Sequence, residues 1–400
     1  MTIKFASFLL FLALSYQFCF SQAKDDKPYL VVLSMDGFRW DYPDSFPTPN
    51  LHRMANQGIK ARSIIPSFPT VTFPNHYTLA TGLYPDHHGI VHNNFYDPAL
   101  LLTYKLGDRE TVEDGRFYGG EPIWITAEKQ HVKSASFYWV GSEASGIHPT
   151  YWKAYDKRIT FEQRIDTVIH WLSLPEALRP HLIMFYFDQP DHVGHSKGPF
   201  ATETRSMVMY LDSLVGVFMS KVRKLPVGKE VNFIATSDHG MSYVTDKKGI
   251  IIDSYIHPDW IAHVNGGNPV YFIDPKPDYA DSIIRKLSGI PHLSVWRKNE
   301  VPQRLHFGTN PRIGQLVLLA DSSYSISLRR YKMEEEGAHG YDNRNTDMHA
   351  IFYAMGPAFK IDYSAPSFPN VDLYSLMAYI LGLDPAKTDG NLDDVRGMLK

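Results

Sequence analysis

The chain has almost no cysteine. Its 400 residues include only Cys19, which lies in an apolar stretch near the N-terminus. The rest of the chain therefore has no disulfide framework and no thiol for catalysis or metal binding. If the protein is exported, the lack of disulfides is more typical of a bacterial periplasmic protein than of a vertebrate extracellular one.

A strong charge of either sign is also missing. Lys and Arg number 40 and Asp and Glu 43, which gives a formal net charge of -3, and no run is rich in Lys or Arg. This balance offers no electrostatic basis for holding a nucleic-acid backbone, so we expect no stable nucleic-acid partner. The hydrophobic fraction of 44% and the charged fraction of 21% are ordinary for a globular protein.

Long apolar runs are scarce as well. The one candidate, FASFLLFLALSYQFCF, follows the basic start MTIK and precedes SQAKDD. This pattern predicts a secretory signal peptide over residues 1–23. A membrane anchor is the alternative, and the run is short for one. We expect a mature chain without a transmembrane segment, secreted to the periplasm or the exterior of a bacterium.

Short apolar runs alternate with helical patterns from residue 27 onward. Strands are predicted in YLVVLSMDG, SASFYWVG, HLIMFYFDQPD and VNFIATSDHG, and helices in TPNLHRMANQG and TRSMVMYLDSLVGVFMSKVRKL. This alternation predicts an α/β fold with a mostly parallel central sheet and helices on both faces. The less regular residues 246–330 are expected to form a small cap or subdomain.

Acidic residues and histidines follow several of the predicted strands. Each is ambiguous alone, since Asp-Gly is a common turn signal and surface loops often contain Asp and His. Ligands bind at the carboxyl ends of parallel strands, so we expect most of these side chains to converge there. Their oxygen and nitrogen donors suit zinc or another first-row metal, and six ligands are about right for two ions. The set is Asp36, Asp191, His195, Asp238, His239 and His339.

The stretch VTFPNHYTLATG places a hydroxyl, that of Thr72, at the start of a predicted helix. One interpretation is a helix N-cap. The other is a nucleophile that attacks phosphorus beside two metal ions, at a helix N-terminus suited to phosphate. The sequence pattern alone leaves both open.

Several motifs together resemble one family. LSMDGFRWDY, IPSFPTVTFPNHYTLATGLYPDHHGIVHNNFYDP, PDHVGHSKGP, TSDHGM and AHGYDN occur in this order in the nucleotide pyrophosphatase/phosphodiesterase family, part of the alkaline phosphatase superfamily. The resemblance covers nearly the whole mature chain. It implies an alkaline-phosphatase-like fold and one phosphodiesterase catalytic domain over residues 24–400.

The resemblance also implies two zinc ions and a set of roles. One zinc would be held by Asp191, His195 and His339, and the other by Asp36, Thr72, Asp238 and His239. Thr72 would form a phospho-threonine intermediate. Asn93 would bind a non-bridging phosphate oxygen with the backbone N–H of Thr72, and Asn94 is the alternative for that role.

Family nucleotide pockets stack the base between two aromatic residues, which here correspond to Phe73 and Trp152, with Tyr151 as a neighbour. Core packing is the alternative for Trp152. The expected small-molecule substrate is a nucleotide, such as a nucleoside triphosphate split to a monophosphate and pyrophosphate. PDHVGH carries His192 and Val193 where animal members often have small or polar residues. His192 is interpreted as a rim residue and not a ligand, and contact with substrate is the alternative.

Other activities of the superfamily fit less well. A lipid- or choline-type phosphodiesterase, acting on a lysophospholipid or glycerophosphocholine, would use the same metals. Sulfatases need a cysteine or serine that matures to formylglycine, and monoesterases need a Lys and an Arg that SFYWVGSEASG lacks. An inactive metal-binding relative would lack a ligand or the nucleophile, and none is missing.

Overall fold

The computed structural model describes residues 27–329 and 335–400. The signal peptide predicted over residues 1–23 lies outside the described residues. In these ranges the strands are β1 Tyr29–Met35, β2 Gly58–Ala61, β3 Ile64–Ile65, β4 Asn94–Asp97, β5 Leu102–Lys105, β6 Ser134–Phe137, β7 Tyr151–Lys153, β8 Leu182–Phe187, β9 Val231–Thr236, β10 Ser242–Tyr243, β11 Gly249–Ile251, β12 Ile261–Gly267, β13 Val270–Pro275, β14 Leu293–Arg297, β15 Leu316–Ala320, β16 Ser325–Ser327, β17 Gly337–Ala338, β18 Phe352–Met355, β19 Tyr363–Ala365 and β20 Phe368–Pro369.

The helices lie mainly between these strands. They are α1 Tyr42–Ser45, α2 Pro49–Asn56, α3 Thr72–Thr81, α4 Pro85–His88, α5 Arg109–Val112, α6 Ile123–Lys129, α7 Phe161–Leu172, α8 Asp191–Lys197, α9 Thr202–Val222, α10 Ala280–Leu287 and α11 Asp372–Ile380. Among the described residues, no helix combines the length and the apolar character needed to cross a bilayer.

Eight strands form the central sheet, in the order β19-β2-β18-β9-β1-β8-β6-β7. Only β18 runs against its neighbours, and every other pairing in this sheet is parallel. The sequence prediction of an α/β fold with a mostly parallel sheet is confirmed, and each of its four predicted strand segments contains one of these strands.

Both faces of the central sheet are buried. Along β1, Leu30 and Val32 belong to one hydrophobic cluster, while Val31 and Leu33 belong to another. This alternation follows from the two-residue period of a strand. The first cluster contains side chains of α3, α6 and α11, and the second contains those of α2, α7 and α9. A sheet covered by helices on both faces therefore leaves its strand ends as the accessible edge.

A second, antiparallel sheet in the order β12-β13-β15-β14 lies within the region predicted as a cap. One face joins the main core through Val317 and Leu319. The other face packs, through Leu316 and Leu318, with side chains of α10. The small sheet therefore rests on the core of the central sheet through apolar contacts. The description of residues 246–330 as a separate cap stays a prediction.

Candidate active site

The acidic residues of the site follow the carboxyl ends of three adjacent strands of the central sheet. Asp36 directly follows β1, and Asp238 with His239 comes two residues after the end of β9. Asp191 opens α8, four residues beyond β8. Because β9, β1 and β8 are neighbours and parallel, their carboxyl ends place these side chains next to one another.

The six predicted ligand residues converge. Oδ1 of Asp191 lies 3.5 Å from Nε2 of His195 and 3.5 Å from Nε2 of His339. Nε2 of His239 lies 3.4 Å from Oδ1 of Asp36 and 3.1 Å from Oδ2 of Asp238. The rings of His239 and His339 stack with their centroids 3.6 Å apart.

Donor atoms within 4.8 Å of one another define two groups, and His239 belongs to both. One contains Asp36, Asp238 and His239, and the other Asp191, His239 and His339. His239 therefore lies between the two groups, whereas the family resemblance assigns it to one.

One carboxylate oxygen of each aspartate is left without a hydrogen-bond partner in the described part of the chain. These buried atoms are Oδ1 of Asp36, Oδ1 of Asp191 and Oδ2 of Asp238. The second oxygen of Asp36 accepts from the Tyr186 hydroxyl at 2.5 Å, and that of Asp238 accepts from the backbone N–H of Gly37 at 3.2 Å. Buried unpaired carboxylate oxygens are costly unless a cation faces them, so the donor set fits metal binding.

The three histidines are oriented by backbone carbonyls. Nδ1–H of His195 donates to Gly337 at 2.9 Å, that of His239 to Gly240 at 2.8 Å, and that of His339 to Thr70 at 2.9 Å. Such a bond fixes the tautomer and leaves the Nε2 lone pair available for coordination. All three Nε2 atoms face the unpartnered aspartate oxygens.

The charges of the cluster act strongly on one another. Burial, together with the charges of Asp238 and Asp191, raises the pKa of Asp36 well above its usual value. Burial also acts to raise the pKa of Asp238, but the neighbouring His239 and His76 hold it below its usual range. Burial and then the charges of His239 and His195 lower the pKa of His339. Divalent cations would relieve the repulsion among the aspartates.

Thr72 is the first residue of α3. The N-cap position is occupied by Val71, without a side-chain cap, so the hydroxyl does not serve as a helix cap. Instead Oγ1 of Thr72 lies 3.1 Å from Nε2 of His239. The N-cap interpretation of this hydroxyl is therefore not supported, and the nucleophile interpretation stays a prediction.

Three polar side chains near Thr72, those of Asn93, Asn75 and His76, are also fixed by hydrogen bonds. Oδ1 of Asn93 accepts from the backbone N–H of Phe73 at 2.9 Å. The Asn75 amide donates to the carbonyls of Pro69 and Val71. His76 makes contacts with Ser34 Oγ at 2.8 Å, the Thr72 carbonyl at 3.0 Å and Asp238 Oδ2 at 3.2 Å.

A cleft of about 540 Å³ opens beside these groups. Its lining includes the predicted residues Asp36, Thr72, Phe73, Asn93, Asp191, His195 and His339. Buried Asp238 and His239 lie behind that surface. The cleft also includes Tyr138, Tyr155 and Tyr186, which sequence reasoning did not assign to the site.

Tyr151 and Trp152 are not brought to this cleft. Trp152 stacks on His148 with ring centroids 4.4 Å apart, and the Tyr151 hydroxyl donates to the carbonyl of Leu178. Both residues belong to β7, an edge strand, while Tyr155 follows its carboxyl end. Assigning TYWK to a strand would therefore have pointed to Tyr155 as the residue beside the site.

The fold and the site define an α/β protein with two groups of candidate metal ligands at its strand ends and a threonine beside them. More particularly, the family described as Type I phosphodiesterase / nucleotide pyrophosphatase matches residues 30–342. The chain belongs to this family.

Two curated relatives support this family assignment. Ectonucleotide pyrophosphatase/phosphodiesterase family member 5 of Homo sapiens is 34% identical over 406 residues, covering 100% of this chain and 84% of that protein. Family member 1 of Mus musculus is 35% identical over 398 residues, covering 94% of this chain. The chain spans only 43% of that longer relative.

A solved structure shares the fold. It is murine family member 5, as an inactive threonine-to-alanine variant in complex with AMP. It aligns with a TM-score of 0.90 at 33% identity, covering 94% of this chain and 100% of that one.

Proposed function

We propose that the protein is a two-zinc phosphodiesterase that hydrolyses phosphodiester or pyrophosphate bonds of nucleotides through a phospho-threonine intermediate. The observation that carries this proposal is the position of Thr72. Its hydroxyl lies 3.1 Å from Nε2 of His239, which in turn faces two carboxylate oxygens that accept no hydrogen bond from the described residues, Oδ1 of Asp36 and Oδ2 of Asp238. A nucleophile placed beside a metal-binding group is one arrangement that supports phosphoryl transfer.

The donor set divides between two ions. Asp191, His195 and His339 would hold one zinc, and Asp36, Asp238 and His239, with Thr72, would hold the other. When bound, the ions supply Lewis-acid chemistry, lowering the pKa of the threonine hydroxyl and stabilising negative charge on the phosphate oxygens. The ring of His239 contacts donors of both groups, so the assignment of this ligand to one ion is part of the proposal.

Asn93 is suited to bind a non-bridging oxygen of the phosphate. Its Oδ1 accepts a hydrogen bond from the backbone N–H of Phe73. This bond fixes the orientation of the side-chain amide and leaves its N–H groups available as donors. The backbone N–H of Thr72, at the start of a ten-residue helix, supplies a second donor. Fixed donors of this kind stabilise charge that develops in the transition state.

The nucleoside fits between aromatic walls of the cleft. Phe73 and Tyr155 both line it, and the backbone N–H of Tyr155 donates to Oε2 of Glu143 at 2.8 Å. Aromatic faces bind any nucleobase by stacking. The AMP complex of the murine relative supports a nucleotide ligand for this cleft.

A diester that carries an acyl chain is the second candidate, and Leu106 is the observation that favours it. This residue lines the cleft and is 44% exposed. An apolar lip of this kind would bind the hydrocarbon part of a lysophospholipid. Comparing ATP with a lysophospholipid and glycerophosphocholine on the same zinc-loaded protein separates the two candidates.

We also infer that the chain is exported. The pattern of residues 1–23 supports this inference, as do the names of the relatives, which include ectonucleotide enzymes and venom phosphodiesterases. N-terminal sequencing of the protein recovered from outside the cytoplasm would test it.

The nucleophile is tested by two variants of Thr72. We expect Thr72→Ala to lower kcat on ATP by roughly 1,000-fold or more, because the attacking oxygen is lost, while zinc content stays near wild type. Thr72→Ser keeps a hydroxyl and should retain much more activity. Brief incubation with ATP labelled at the α-phosphate should label the wild-type protein and the Thr72→Ser variant but not the alanine variant. Near wild-type turnover by Thr72→Ala would overturn the proposal.

A further inference from the structure

His192 lines the cleft but has no role in the site described above. It is exposed and follows Asp191 on α8, three residues before His195. Across residues 27–329 and 335–400, no hydrogen bond, ion pair or ring contact engages its side chain. An imidazole always carries at least one N–H donor, so His192 offers the cleft a donor that is not used within the described chain.

The other charged side chains of the cleft outside the metal-binding groups are engaged. Arg109 contacts Glu113 at 2.6 Å and also pairs with Glu143. Asp188 lies 3.3 Å from the guanidinium of Arg164. Together with the Asn93 amide and the backbone N–H of Thr72, His192 is therefore a donor of the cleft that is unengaged among the residues described.

Thr72 and Asp191, the residue before His192, are linked through two intervening histidines of the cluster. Thr72 contacts His239, His239 stacks on His339, and His339 contacts Asp191, the residue next to His192. In phosphoryl transfer the attacking and leaving oxygens are roughly in line across phosphorus. Under the proposed division of ligands Thr72 belongs with Asp36, Asp238 and His239, so the departing group would face the residues of the other group, Asp191 among them.

We propose that His192 is a specificity-determining residue that binds the phosphate oxygens of a leaving group such as pyrophosphate. This proposal rests on the proposed function. In the step concerned, a bond forms between Oγ1 of Thr72 and the α-phosphorus while the bond from that phosphorus to the bridging oxygen breaks. Pyrophosphate leaves with the electron pair, and the threonine proton passes to solvent. His192 donates a hydrogen bond to the leaving group and transfers no proton.

The consequence is a preference among nucleotide substrates. A nucleoside triphosphate presents the leaving phosphates that His192 recognises, whereas an ester with an aromatic alcohol does not. The residue selects for the leaving group, and the walls that include Phe73 and Tyr155 select for the nucleoside.

The test compares two substrates that differ only in the leaving group, ATP and the p-nitrophenyl ester of AMP. We expect His192→Ala to lower kcat/KM for ATP by about 10-fold, as for a lost hydrogen bond to a charged group, and to change the nitrophenyl ester by less than about 3-fold. His192→Gln keeps an N–H donor and should retain most of the activity on ATP. His257→Ala removes an exposed histidine outside the cleft and serves as the control.

Equal losses on both substrates, or no loss on either, would overturn the role of His192. Zinc content is measured for each variant, and a fall in zinc with loss on both substrates counts against the proposal too. The proposed function fails separately, if the wild-type zinc-loaded protein hydrolyses neither substrate.

Discussion

The Tyr186 hydroxyl donates to Oδ2 of Asp36 over 2.5 Å, and this contact decides which oxygen of Asp36 faces the cluster. With Oδ2 engaged, Oδ1 is the atom that lies 3.4 Å from Nε2 of His239. Burial and the nearby negative charge of Asp36 raise the pKa of Tyr186 well above its usual value, so the phenol stays protonated as a donor. A hydrogen bond from a neighbouring side chain to a metal ligand commonly orients that ligand, and Tyr186 makes such a bond to Asp36.

Replacing Tyr186 by Phe should therefore weaken metal binding. We expect zinc affinity to fall about 10- to 100-fold, because Asp36 loses the bond that orients its carboxylate. Titration of the zinc-loaded protein with a competing chelator measures this. Tyr138→Phe is the matched control, since Tyr138 also lines the cleft but donates to the carbonyl of Asp156. Equal zinc affinity in the two variants would contradict the orienting role.

Asn93→Asp should impair turnover more than metal binding. The aspartate can still accept from the backbone N–H of Phe73, but an anionic oxygen replaces the amide donor. Loss of one such donor lowers kcat by about 100- to 1,000-fold. Steady-state kinetics on the p-nitrophenyl ester of AMP give the measurement. Asn94→Asp is the control, and a larger effect there would transfer the phosphate-binding role to Asn94.

Tyr155 lines the cleft and Trp152 does not, so substitutions of the two residues should affect nucleotide binding differently. Tyr155→Ala should raise KM for ATP about 10-fold, because stacking on a base contributes about 1–3 kcal/mol. Trp152→Ala should change KM little, since that ring stacks on His148 outside the cleft lining. KM for a small diester without a nucleobase should stay nearly constant in both variants. A larger rise for Trp152→Ala would restore the sequence-based assignment.

Asp372 gives a pH dependence of stability that is separate from the site. Its Oδ1 accepts from the backbone N–H of Asn391, its Oδ2 has no partner among the described residues, and burial raises its pKa from 3.8 to about 6. The folded state therefore holds the proton more tightly than the unfolded state. The contribution of protonated Asp372 to the free energy of unfolding is fully present below about pH 4 and is lost as the pH rises through about 6.

Asp372→Asn should remove this dependence. We expect the variant to gain stability relative to wild type at pH 7.5 and to lose that advantage at pH 4.5, as measured by urea midpoints. Asp393→Asn, at an exposed position, controls for the general change in charge. An advantage of the same size at both pH values would show that the carboxyl of Asp372 is not the cause.

Much of the architecture could be predicted because it depends on local patterns. Apolar runs that end in Asp or Asp-His indicate buried parallel strands, and the rule that such strand ends meet accounts for the clustering of Asp36, Asp191 and Asp238. The order of strands β9, β1 and β8 is a tertiary property that no local pattern contains. The antiparallel strand β18 was not predicted for the same reason.

The site shows the same division. A threonine before a helix has the same local pattern whether it caps the helix or attacks a substrate. What separates the two cases here is the contact of the Thr72 hydroxyl with His239, which is 167 residues away in sequence. The sequence around Tyr186 indicates only one more residue of an apolar strand. Its contact with Asp36 depends on the neighbouring strand, which comes from a distant part of the chain.

The small sheet rests on the main core through an apolar face, with Val317 and Leu319 buried inside the shared cluster. Sliding or hinging this sheet would expose that face to water, which is unfavourable. We therefore expect the small sheet and the central sheet to stay together as one rigid unit while substrates come and go.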